Sequence, residues 1–217
     1  MTNNNARTNM IKQQLRTGGV LSEAILALYE KIPRADFVPT KYRDFAYSDM
    51  QIPLSHRQVM LTPLEEGSIL EALNLTGQET VLEIGTGSGF FTALLSQLCQ
   101  RVISIDIFED LQKEAKLRLD RYACRNVELF TGNAYQGWLE KAPYDVIVIT
   151  AAVEKITDTM RLQLLPSGKI CAVIGKAPSM LCLLDSCDAQ GTWTEKFLFS
   201  TCIPPLINPL KTKDFVF

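Results

Sequence analysis

Apolar side chains recur at helical spacing in the first part of the chain and as alternating strand and helix patterns from residue 81 onward. Met10, Ile11, Gln14 and Leu15 fall on one helical face, and Gly18-Gly19 closes that helix. Ser22 can cap a second helix, in which Ile25, Leu28, Tyr29 and Ile32 sit at i, i+3, i+4 and i+7 before Pro33 breaks the pattern. Between Pro33 and Pro63 no period is visible, and the segment carries aromatics, prolines and the only histidine, His56. So long a stretch without an element inside a compact domain predicts a functional loop or lid. Thr62 then stands at an N-cap, Pro63 at N1 and Glu65 where it closes a capping box, with Ile69, Leu70 and Leu73 as the apolar face.

From Val81 the two periods alternate. Val81 to Ile84 reads as a strand, 90 to about 99 as a helix, Arg101 to Asp106 as a second strand, the stretch through Leu111, Ala115 and Tyr122 as a helix, and Val127 to Phe130 as a third strand. Tyr144 to Ile149 is nearly all apolar, as expected of a central parallel strand buried on both faces. A helix with Ile156, Met160 and Leu164 is expected next, then a turn at Pro166-Ser167-Gly168, a fifth strand from Lys169 to Ile174, and a terminal hairpin of Met180 to Asp185 and Lys196 to Cys202. The alternation predicts an α/β protein with a three-layer, Rossmann-like fold: a mostly parallel sheet, a C-terminal antiparallel hairpin and N-terminal helices. With 217 residues and 47% apolar composition, one domain over 1–217 is expected. Residues 1–62 would form the N-terminal helices and loop, and 63–217 the core.

Charge narrows the function. A net charge of -2 with no run of Lys or Arg gives no footprint for a phosphate backbone, which argues against nucleic acid. No apolar run reaches the length of a membrane span, and a cytoplasmic protein is expected. The six cysteines show no C-x-x-C spacing and read as reduced core thiols; with a single histidine, no metal site is expected.

The chemistry concentrates in Val81-Leu82-Glu83-Ile84-Gly85-Thr86-Gly87-Ser88-Gly89-Phe90-Phe91, a strand, a glycine-rich turn and a helix start. A dinucleotide fingerprint needs a third glycine at 90, which is Phe90. The pattern present, E-x-G-x-G-x-G, resembles motif I of the class I S-adenosylmethionine (SAM) methyltransferases. In an open α/β sheet the ligand sits beyond the carboxyl ends of the strands. Asp106, with Ile107 after it, ends the second strand, where a carboxylate can accept two hydrogen bonds from a ribose diol. Glu83 is placed to be buried and would answer the cationic amino group of SAM, directly or through water. Thr86 and Ser88 complete the turn. Asn133, with Ala134, follows the third strand and suits an adenine edge, or else serves a plain Gly-Asn turn. Thr150-Ala151-Ala152 ends the fourth strand and leaves room for a methyl acceptor. Acid-base residues are scarce, which fits methylation of a carboxylate: it is ionised at neutral pH and needs no general base.

Taken together, RTNMIKQQL (7–15), IPRADFVP (32–39), AYSDMQIP (46–53), VLEIGTGSG (81–89), Gly137-Trp138 and APYDVIVITAA (142–152) resemble the protein-L-isoaspartate (D-aspartate) O-methyltransferase family. The resemblance implies SAM as cofactor. It also implies a protein or peptide substrate carrying isoaspartate, with repair through a succinimide, and a cytosolic, mostly monomeric protein. The chain departs from the family on the substrate side. Where the family shows G-x-G-Q-T-I-S-x-P, residues 55–63 read Ser-His-Arg-Gln-Val-Met-Leu-Thr-Pro, so that a serine is replaced by Leu61 and a threonine by Val59. Asn133-Ala134 likewise stands where the family has Asp-Gly. The substrate-side candidates left are His56, Gln58 and Thr62, although Thr62 also suits the helix cap and His56 a surface loop. Alternatives are a methyltransferase with another acceptor, such as a small carboxylate, and a non-catalytic SAM-binding module.

Overall fold

In a computed structural model describing residues 3–208, seven strands form one sheet in the order β5-β4-β3-β6-β7-β8-β9. The strands are β3 (Thr80–Ile84), β4 (Arg101–Asp106), β5 (Val127–Thr131), β6 (Tyr144–Val153), β7 (Leu164–Lys176), β8 (Ser179–Cys187) and β9 (Trp193–Thr201). The first five pair in parallel and the last two are antiparallel. The chain lays down β3, moves outward to β4 and β5, then crosses back to place β6 on the other side of β3. That reversal opens a crevice at the carboxyl end of β3. Residues 1–2 and 209–217 of the expected domain lie outside the described residues.

Alternation along the strands fills two cores. Val81, Val102, Val146 and Val148 face one side, packed beneath α1 (Asn3–Asn9, continued as a π turn over Met10–Leu15), α2 (Glu23–Lys31), α3 (Pro63–Leu73) and α4 (Phe90–Ser96). Leu82, Ile84, Ile103, Ile105, Ile147 and Ile149 face the other side, against Ala134, Trp138 and the short α6 (Asp158–Arg161). Both faces of β3, β4 and β6 are dry, which is why their sequences read as nearly unbroken apolar runs. The remaining helix, α5 (Glu109–Arg121), follows β4.

Three expectations need correcting. The helix through Ile156, Met160 and Leu164 shrinks to α6, because Leu164 pairs with Tyr144 as the first residue of β7. The turn at Pro166-Ser167-Gly168 is instead an irregularity within β7, where the register jumps from Tyr144↔Leu164 to Val146↔Lys169 and Ser167 adopts φ 65°. The helix after the glycines stops at Ser96. The segment 33–63 does contain elements, all too short to leave a period: 3-10 turns at Arg34–Asp36, Thr40–Phe45 and Ser55–Arg57, and a ladder of β1 (Ile52–Pro53) with β2 (Val59–Met60). Cys99, Cys124, Cys171 and Cys182 are buried, whereas Cys202 is exposed.

Candidate functional site

The polar groups gather where the parallel strands end. β3 runs into Gly85-Thr86-Gly87-Ser88-Gly89, whose glycines take φ of 105°, 52° and 82°. Crowding fixes two of them as firmly as torsion does. A Cβ on Gly85 would stand 2.4 Å from Thr150 Oγ1, and one on Gly89 3.0 Å from the Cβ of Ala115 on α5. Bare backbone is what lets β6 and α5 approach this turn. Thr150 donates its hydroxyl to the carbonyl oxygens of Gly85 at 2.7 Å and Ile84 at 3.2 Å, so its oxygen points into the turn.

Asp106, the last residue of β4, is 7% exposed. Its carboxylate accepts the N–H of Gly87 at 2.9 Å and that of Phe108 at 3.0 Å. One side chain thus fastens the glycine turn to the strand end, and each oxygen keeps a lone pair for a further donor. Burial pushes its pKa up, and the backbone N–H groups pull it back. Asp106 faces a lobe of the crevice whose walls include Ile107, Phe108, Leu111, Asn133 and Ala134, with Gln58 reaching in from the loop. Leu111, from the apolar face of α5, belongs to this wall, as do Phe108 and the strap Pro205-Leu206-Ile207, which no sequence period marked.

On the far side of Gly87 lies a second lobe, walled by Leu54, Met60, Leu61, Glu66, Ser88 and Phe91. Gly85, Gly87, Val59 and Thr150 line both lobes, so the two adjoin along the turn. The hydroxyl-to-carbon exchanges at Val59 and Leu61 therefore fall on the crevice itself. A broader cleft of about 740 Å³ opens beyond Ala152 and shares Pro205, Leu206 and Ile207 with the first lobe. The strap runs along the end of β6: Ala152 N–H donates to Pro204 O at 3.0 Å and Leu206 N–H to Ala152 O at 2.7 Å.

A buried hydrogen-bond chain supports the turn from below. Gln112 of α5 donates to Thr86 Oγ1 at 2.9 Å, Thr86 meets Ser104 Oγ at 2.6 Å, and Ser104 donates to Glu83 Oε2 at 2.5 Å, as does Thr92. Gln112 also donates to the carbonyl oxygens of Ser104 and Phe130. It is a polar residue on the apolar stripe of Leu111, Ala115 and Leu119, which is the one signal that could have flagged it. Glu83 is fully buried, and burial pushes its pKa up to about 8. It lines neither lobe: Oε2 takes the two hydroxyls inside the frame, and Oε1 is buried without a hydrogen-bond partner among the described residues. Gly89 serves packing against α5, and Thr86 lines the second lobe while its hydroxyl belongs to the buried chain.

The substrate-side candidates also separate. Gln58 lines the same lobe as Asp106. Thr62 lines neither lobe, since its hydroxyl accepts the Glu65 N–H at 3.2 Å in a complete capping box. His56 sits on the outer rim, stacked on Phe108 at 3.9 Å between centroids and 2.8 Å from Asp110. It pins the loop to the start of α5. Asn133 Oδ1 accepts the Tyr135 N–H at 3.0 Å, leaving its amide N–H groups free of that bond. Among the described residues, no cluster of three or more His, Cys, Asp or Glu could hold a metal, and no helix is long and apolar enough to cross a membrane.

The sequence profile of the protein-L-isoaspartate(D-aspartate) O-methyltransferase family matches residues 4–201. A protein-L-isoaspartate O-methyltransferase of Synechococcus sp. is 35% identical over 207 residues, covering 93% of this chain and 85% of that protein. That of Gloeobacter violaceus is 39% identical over 166 residues, 76% of this chain and 81% of that one. A solved structure described as a protein-L-isoaspartate O-methyltransferase superimposes with a TM-score of 0.81 at 24% identity, covering 94% of this chain and 67% of that chain. A Plasmodium falciparum protein of the same description, solved with S-adenosyl-L-homocysteine, gives a TM-score of 0.78 at 16% identity over 95% and 99% of the two chains. At these identities the structures bear on the fold alone.

Proposed function

The chain belongs to the protein-L-isoaspartate(D-aspartate) O-methyltransferase family, and from that premise we propose that it methylates the abnormal carboxylate of isoaspartyl residues, with SAM as methyl donor. The observation that carries this reading is Asp106, facing the first lobe while tied to the Gly87 N–H. A ribose diol would meet its two oxygens. Ile107, Phe108 and Leu111 offer apolar faces to an adenine, and Asn133 and Ala134 stand at its edge. Gly85, Gly87 and Ser88 line the path from one lobe to the other, where the amino-acid end would run. The donor set fits the cofactor, because a carboxylate, a bare-backbone turn and apolar walls answer a diol, a close main-chain contact and a purine in that order.

Bound SAM supplies a methyl group on a sulfonium. The acceptor carboxylate, with an ordinary pKa of about 4, arrives ionised, so no residue of this chain has to remove a proton. What the protein contributes is alignment and exclusion of water. Thr150 and Ala151 leave the end of β6 open toward the first lobe, and the broad cleft along the strap gives a polypeptide room to lie against the backbone of Pro204 to Leu206. We place this activity in protein repair by a cytoplasmic monomer in which the 63–217 segment carries the sheet side of the SAM site and the loop of 1–62 closes its other side.

The test is methyl transfer to an isoaspartyl peptide beside its aspartyl twin. Turnover of the first alone is expected; turnover of neither removes the specificity. A second reading, a different acceptor, is favoured by the carbon side chains of Val59 and Leu61 at the crevice. It is separated by Leu61→Ser, which raises isoaspartyl turnover about tenfold if the missing hydroxyl limits the reaction and leaves it unchanged if the acceptor is another.

A further inference from the structure

Glu66, on α3, is a carboxylate that the reading above leaves unused. It is 2% exposed, and it is the only ionisable side chain among the residues lining the second lobe. Its neighbour Arg34, wholly buried, gives it a single hydrogen bond, from Nε to Oε2 at 3.3 Å. The rest of the guanidinium is engaged elsewhere: Nη1 donates to Ala46 O at 3.1 Å, Nη2 donates to Leu61 O, and the plane lies 5.7 Å from the Phe90 ring centre. Arg34 therefore braces the loop carbonyls as much as it neutralises the acid. Glu66 Oε1 takes no hydrogen bond among the described residues, although Oε2 does. Burial pushes the Glu66 pKa up to about 7 against the pull of Arg34. A carboxylate this deep with half its acceptor capacity unfilled is stabilised by any cation that reaches it.

Resting on the SAM reading, we propose that Glu66 is the counter-charge for the α-ammonium of the cofactor's amino-acid end. The sequence had offered Glu83 for that role. Glu83 lies beneath the turn and lines neither lobe, with Oε2 on two hydroxyls and Oε1 buried without a partner among the described residues, whereas Glu66 lines the lobe that adjoins that of Asp106 across Gly85 and Gly87. A ligand with its ribose at Asp106 would extend in that direction. The charge at Glu66 also selects which way the amino-acid end turns: its ammonium meets an opposite charge, and its carboxylate is kept off by a like one.

The test is calorimetric binding of three ligands to wild type and to Glu66→Gln: S-adenosylhomocysteine, 5′-methylthioadenosine, which lacks the amino-acid end, and the S-adenosylhomocysteine analogue lacking only the amine. A charge-assisted hydrogen bond in a buried site corresponds to about a 30-fold effect. Wild type should bind the deamino analogue about 30-fold more weakly than S-adenosylhomocysteine. Glu66→Gln should lose about 30-fold for S-adenosylhomocysteine while holding methylthioadenosine within about threefold. That retained binding also shows that the variant has folded; if it is lost, the wild-type ratio decides alone. Equal affinity of wild type for the deamino analogue and S-adenosylhomocysteine overturns the inference, as does an unchanged S-adenosylhomocysteine affinity in Glu66→Gln. A wild type that binds neither S-adenosylhomocysteine nor methylthioadenosine instead overturns the SAM reading itself.

Discussion

The crevice has two walls, and they are held in place by different means. The strand-end wall is set by the sheet: Asp106 is bonded to two backbone N–H groups, and a buried chain from Gln112 to Glu83 ties α5, the glycine turn, β4 and β3 together. The loop wall, 54–61, is held by the burial of Met60 and Leu61 in the core, a two-residue ladder, an exposed contact of His56 with Phe108 and Asp110, and the reach of Arg34 to the Leu61 carbonyl. Moving a strand-end residue disturbs the sheet. On the loop, Val59 is partly buried and lines the crevice, while Leu61 both lines it and packs in the core. The lesson is that one crevice can be framed on one side by a sheet and on the other by a loop with few polar ties to it.

The contrast can be broken first at Asp106. Asp106→Ala removes the acceptor of the Gly87 and Phe108 N–H groups and the proposed diol contact, and S-adenosylhomocysteine affinity should fall about 100-fold by calorimetry. A change below about threefold would mean that the strand-end wall is not where the nucleoside sits. Next comes the pH dependence of the frame. In the folded protein the pKa of Glu83 is pushed up to about 8 from an ordinary 4.5. Between those values the unfolded chain has released a proton that the folded protein still holds. Stability should therefore fall as pH rises from 5 to 8, by no more than about 1.4 kcal/mol per pH unit for this one group, and level off above 8. Glu66, raised to about 7, acts in the same direction up to that pH. Urea unfolding of Glu83→Gln at pH 5 to 8 should show a shallower decline than wild type, and an identical slope would contradict the assignment.

Smaller effects sharpen the comparison on the loop side. Arg57 adopts φ 57°, a left-handed conformation that disfavours a residue with a Cβ, at a position where the family pattern has glycine. Arg57→Gly should stabilise the protein by about 0.5–1 kcal/mol in thermal unfolding, and a loss would show that its side chain has a use. Least of all, His56→Ala frees the exposed pin at Phe108 and Asp110. It should change the KM for the peptide by roughly twofold and leave kcat as it was, as expected of a solvent-exposed contact.

The same contrast explains what could be read in the sequence. β3, β4 and β6 are buried on both faces, so their apolar runs announced them, and Asp106 followed from its place at a strand end. Thr62, Pro63 and Glu65 specified their cap locally, and it formed as written. The pairing of Arg34 with Glu66 across distant sequence and the strap at 205–207 are products of tertiary packing with no local period, and Gln112 shows only as a polar residue on the apolar stripe of α5. Glu83 lines neither lobe, because a motif position tells where the backbone goes, not which way a side chain faces. The helix expected through Leu164 failed because Met160 and Leu164 have helical spacing, while the pairing of Leu164 with Tyr144 starts a strand there.

The most direct measurement is thermal unfolding of the full chain with S-adenosylhomocysteine or with NAD, each at saturating concentration. A turn and strand-end acid shaped for an adenosyl amino acid should give stabilisation by S-adenosylhomocysteine of about 2.7 kcal/mol at 100 times its dissociation constant, and none by NAD. Stabilisation by NAD alone, or by neither ligand, would contradict the assignment of the crevice.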